Sequence, residues 1–175
     1  MYLHGCPSMA RSDAPARPSW AVPLLEPAEL FKAISGRLAS GSPLVNWARE
    51  LSDLHAELTR HKRGGVPCSS GFDCERIRAG IERLVDDIDM WAARNVPRTN
   101  CARKHTHSLG EAISHIAQTY SEAWWTVLHS ADCELRHEAW SHLGEVREGY
   151  AGMVGEIRAR HLQLPLGAGV RGRSK

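Results

Sequence analysis

The stretch from His105 to Leu128 reads HTHSLGEAISHIAQTYSEAWWTVL, and its reading decides the fold. Ser108 and Glu111 stand at the S-x-x-E spacing of a capping box, in which each side chain satisfies a backbone N–H at a helix start. Beyond them Leu109, Ile113, Ile116, Tyr120, Ala123, Trp124 and Val127 follow the three-and-four rhythm of a helix. A helix with one apolar face cannot bury that face alone, so partners are expected on both sides of it in the chain.

They are there. Downstream, Ser130 and Asp132 mark the start of a last helix that runs to about Leu162 and is stopped by Pro165. Its inner face is Ala139, Leu143, Val146, Tyr150, Met153, Val154 and Ile157. Upstream, Asp73 caps a helix that ends near Asn95, before Pro97, and buries Ile77, Ile81, Leu84, Val85, Ile88 and Trp91. Before it, Ser42 as cap and Pro43 as first helical residue open a helix to about His61, with Leu44, Trp47, Ala48, Leu51, Leu54 and Leu58 as its stripe. Residues 63–72 form a glycine- and proline-rich loop, and a short helix spans Pro27 to Leu38. No stretch alternates with period two for long enough to predict a sheet.

The expected fold is therefore all-α: an antiparallel four-helix bundle with a short additional N-terminal helix and disordered N-terminal and C-terminal tails. The tails are residues 1–26, where Pro7, Pro15 and Pro18 sit among Ala, Ser and Arg, and the basic segment 165–175; the bundle is 27–164. Met9 is an alternative start to Met1. A net charge of +2 gives no reason to expect nucleic acid, and no apolar run reaches the roughly 20 residues of a membrane helix. The N-terminus lacks the apolar core of a secretory signal, and five cysteines make no complete disulfide framework. The expected compartment is the cytoplasm, and the cysteines are read as free thiols, with Cys68–Cys74 the one alternative pairing.

Several patterns suggest chemistry. Glu134-x-x-His137 has di-iron spacing, but at about 100° per residue both point roughly 150° from the apolar face, whereas bundle ligands project inward. His107, Glu111 and His115 share one stripe that could grip zinc at a surface, yet Glu111 already caps and no fourth ligand is evident. No metal and no cofactor is expected. His55 falls on the buried face of its helix and reads as a hydrogen-bonded core histidine. Asp86, Asp87 and Asp89 point to different sides of one helix and read as a solvated face. No nucleophile elbow, phosphate loop or dinucleotide fingerprint is present, so no catalytic residue is nominated. Trp124 belongs with the buried stripe, whereas Trp125 points outward and reads as an interface anchor. Gly144, Gly152, Gly155 and Ala159 share a flank of the last helix, a place for close approach of another helix.

The residues His105, Thr106, Ser108, Leu109, Gly110, Ile113 and Ala117, followed by Leu143, Gly149, Tyr150, Leu164 and Pro165, carry a resemblance. Over roughly residues 44–165 the chain resembles an actinobacterial all-helical family known only as a domain of unknown function. That family tends to have Asp-Arg where this chain has Ser114-His115, and an acid where it has Ala151. The resemblance implies the helical fold and brings no activity.

The leading functional expectation is protein–protein association, as a homo-oligomer or with a protein partner, without catalysis. The alternative is a small-molecule or metal-binding bundle that uses His105, His107 and His115, with hydrolytic chemistry as an extension. The candidate binding residues are thus His105, His107, His115 and Trp125.

Overall fold

The computed structural model describes residues 22–38, 41–64, 71–99 and 101–165, with the backbone alone at 71–72. The remaining residues carry the expectations about Met9, the first 21 residues, Cys68 and the basic tail, which lie outside the described residues. Among the described residues five helices appear in order: α1 (Pro27–Ile34), α2 (Pro43–Arg63), α3 (Gly71–Asn95), α4 (Leu109–His129) and α5 (Cys133–Arg158). Two short strands, β1 (Arg103–Lys104) before α4 and β2 (Leu162–Gln163) after α5, pair in parallel. The chain is all-α, as its periodicity predicts. No helix among the described residues is long and apolar enough to cross a membrane.

The helix starts are made by the residues expected to make them. Ser108 Oγ accepts the Glu111 N–H at 3.2 Å while Glu111 Oε2 accepts the Ser108 N–H at 2.7 Å, so α4 opens on a complete capping box. Ser42 caps α2 by accepting from Leu44 N–H, and Asp132 caps α5 by accepting from Glu134 N–H. These contacts satisfy N–H groups that a helix cannot satisfy internally.

Packing puts α4 at the centre. It lies against α2, α3 and α5, whereas α5 touches α4 and α1, and α1 bridges α2 and α5. α2 and α3 run antiparallel, with Arg83 near Glu50 and Arg76 near Glu57. The core is continuous from Leu24 through Leu44, Leu51, Ile88, Ile113 and Ile116 to Val154 and Leu162. Between α3 and α4 the approach is closest at Gly110. A Cβ there would stand 2.4 Å from the Val85 carbonyl oxygen and 2.9 Å from Val85 Cα. Only glycine fits, because the obstacle is backbone.

Three expectations are corrected. The packed body begins before residue 27: Leu24 and Leu25 are buried, the Tyr150 hydroxyl donates to Leu25 O at 2.9 Å, and Arg158 donates to Leu24 O and pairs with Glu26. The expected disordered segment 1–26 therefore fails for its last residues. α5 ends at Arg158 rather than near Leu162, since Arg160 turns the chain with φ +61°. The strand pair was unforeseen; Arg103 N–H donates to His161 O and His105 N–H to Gln163 O.

The two kinds of glycine differ sharply. Gly110→Ala is expected to lower unfolding free energy by about 3 kcal/mol, the upper part of the range for overpacking. Gly152 has open space around it, so Gly152→Ala should raise stability by about 1 kcal/mol through helix propensity. Urea unfolding midpoints of the two variants check both signs.

Candidate functional site

The three histidines nominated from the sequence line one groove. His105 and His107 come from the turn that leads into α4, and His115 from its second turn. Facing them across the cleft are Val146, Gly149, Tyr150 and Met153 of α5, and Ala112 and Ile116 form the floor. The groove has a volume of about 440 Å³. His105 Nδ1 sits 2.9 Å from the His107 carbonyl oxygen and 3.1 Å from its N–H, which fixes the first ring against the backbone of the second. His107 Nδ1 lies 3.7 Å from the Glu111 carboxylate.

The three imidazoles are spread along the groove. His107 and His115 are eight residues apart on one helix, about 12 Å at 1.5 Å per residue. Among the described residues, no group of three or more His, Cys, Asp or Glu could hold a metal ion. Tyr150 offers the groove its ring only, because its hydroxyl is spent on Leu25; burial pushes the phenol well above its ordinary pKa, against the pull of Arg158. Glu134 and His137 are both exposed.

His55 is the core histidine its position predicts. It is 6% exposed, and its Nε2 lies 2.9 Å from Ser114 Oγ. Serine and imidazole at that distance are the first requirement of a nucleophile and base. Here neither lines any groove described above, so the pair serves as a polar link between α2 and α4. Burial is the main cause that lowers the His55 pKa to about 4, with nearby Lys62 and His115 acting in the same direction and Glu122 opposing.

The reading of Asp89 as solvated is overturned. It is 5% exposed and its Oδ1 accepts the Gly110 N–H at 2.8 Å. Burial raises its pKa, and the hydrogen bonds from Ser108 and Gly110 hold it down. It serves as a second cap for α4, supplied from α3.

The tryptophans sit differently from expectation. Trp124, expected in the core, is 44% exposed, stacks on Tyr120 and meets Trp140 edge to face. Trp125, expected outside, is half-buried: its ring stacks on His129 and lies over Gly64 at the end of α2. Trp140 was missed altogether; the available signal was its place on the helix face beside, not within, the apolar stripe of α5. Gly144, Gly152 and Gly155 meet nothing within 4 Å, so no other helix among the described residues uses that flank. Cys74 is disulfide-bonded, against the free-thiol expectation, whereas Cys101 and Cys133 are free and exposed.

No protein-family model, curated protein or solved structure matches this chain.

The buried histidine sets a pH dependence. Above about pH 6.5 the ring is neutral in both folded and unfolded chains. Below that the unfolded chain takes up a proton that folded His55 refuses until about pH 4. Stability is therefore lost as pH falls from 6.5 toward 4, by an amount on the order of 3 kcal/mol. Asp89 acts with the opposite sign, because its raised pKa lets the folded state take up a proton first as pH falls. Chemical unfolding at pH 7 and pH 5 should show a smaller difference in His55→Gln than in the unaltered protein.

Proposed function

We propose that the protein acts by association, with a copy of itself or with another protein, through the end of the α4–α5 hairpin. One observation carries the reading: Trp124 and Trp140 are each 44% exposed, with Leu128 at 61% and Leu135 at 49%. The two indoles touch, and Trp124 and Leu128 line a groove of about 430 Å³ against Ala56 and Thr59 of α2. Covering apolar surface returns about 25 cal/mol per Å², and rigid aromatic side chains lose little freedom when covered. Kinship with the actinobacterial helical family belongs to the same proposal. It is supported by the tasks of the shared positions: Ser108 caps, Gly110 admits α3, and Tyr150 anchors Leu25.

Light scattering after size exclusion tests the association. The untagged protein should run as a dimer or larger species, and Trp124→Ala and Trp140→Ala should shift it to monomer. Trp125 lines the same groove and packs over Gly64, so Trp125→Ala should weaken assembly and also lower the unfolding midpoint. A monomer at every concentration, with no partner retained, rejects the reading.

Residence in the cytoplasm is part of the proposal; the free, exposed thiols of Cys101 and Cys133 suit a reducing compartment, whereas the Cys74 disulfide speaks against it. Cell fractionation tests the placement: the protein should be recovered in the cytosolic fraction, and its recovery in an exported fraction overturns the placement.

The histidine groove favours a second reading, small-molecule binding at His105, His107 and His115. The convergence of all three side chains on one cleft supports it.

A further inference from the structure

We infer that the histidine groove takes a small aromatic carboxylic acid, an inference that rests on the small-molecule reading above. The walls narrow the class. Among the described residues no Lys or Arg lines the groove, so it lacks the strong, multidentate cations that hold phosphate. Its one carboxylate, Glu111, turns one oxygen to the start of α4, where it accepts the Ser108 N–H and faces His107, so the helix N-terminus and that imidazole share its charge. Among the described residues a metal ion finds no set of three ligands.

What remains are three imidazoles above an apolar floor. Each imidazole carries at least one N–H in either charge state and can therefore donate to a carboxylate. With His105 Nδ1 accepting the His107 N–H, its Nε2 carries the ring proton and can donate to a ligand. Beneath them lie Ala112, Ile116 and Val146, with the Tyr150 ring and the Met153 thioether. Thioether and phenol ring both favour an aromatic partner. The volume of about 440 Å³ lies within the range of small-ligand sites. A ligand with an aromatic body of one or two rings and a short acidic arm places each part against matching chemistry.

The test uses 4-phenylbutyrate and its neutral amide as probes, followed by amide-resonance shifts of the full chain. The acid should bind about tenfold more tightly than the amide, the ratio expected from one charge-assisted hydrogen bond. Its shifts should centre on Ile116, Val146 and Met153. In the double variant His107→Gln/His115→Gln the acid should lose that advantage while the amide binds as before; both side chains are exposed, so the fold is not at risk. Equal binding of acid and amide to the unaltered protein overturns the acid class and leaves the groove reading standing. Shifts confined to other parts of the molecule, or no shifts with either probe, overturn both.

Discussion

The contact on which the structure depends is the seating of Gly110 against the backbone of Val85. It brings the first turn of α4 within backbone distance of α3, a separation that any side chain would forbid. At the same place Asp89 reaches across to the Gly110 N–H, so the close approach leaves that buried donor paired. Because α4 is the helix that α2, α3 and α5 all touch, its position propagates. It sets the distance at which His55 meets Ser114, and that at which Ser121 approaches the Ser52 carbonyl. A polar group inside a helical bundle is tolerated only if it is met. Here the meeting points are fixed by a residue with no side chain.

The two halves of α5 live in different surroundings. The C-terminal half is enclosed, with Tyr150, Met153, Val154 and Ile157 buried and the 22–26 segment fastened over it. Over the N-terminal half α1 no longer reaches, and Trp140 and Leu135 keep much of their surface in solvent. α1 is eight residues long and closes only one end of the space between α2 and α5. Exposure of Trp124 follows from the same shortfall: its helix face is apolar, but the element that would cover it stops short.

Periodicity and capping made the helices legible, down to the Ser108–Glu111 box and the inward turn of His55. They failed where tertiary geometry overrode the wheel. Asp89 lies off the apolar stripe of α3 and still goes inside, because the N–H groups opening a neighbouring helix draw a carboxylate in. Leu24 and Leu25 belong to a segment too short for any period, and the core together with Tyr150 and Arg158, far along the chain, gives it a place. Trp124 and Trp125 could be ordered around α4 from sequence, but which side would be covered depends on the length of α1 and the end of α2. The histidine groove was half legible. Its residues could be named from one helix, whereas its opposite wall required the register of α5 against α4.

The parallel pairing of β1 with β2 encloses the whole of α4 and α5 between its two strands. Such a contact joins residues distant in sequence and offers few hydrogen bonds in return for closing the loop. The entropy of closing so long a loop favours its forming after both helices have docked, late in the order of assembly. Interactions absent from the folding transition state act on the rate of unfolding rather than folding. The clasp therefore governs how long the α4–α5 hairpin stays shut once closed, and with it the lifetime of the groove that lies between those helices.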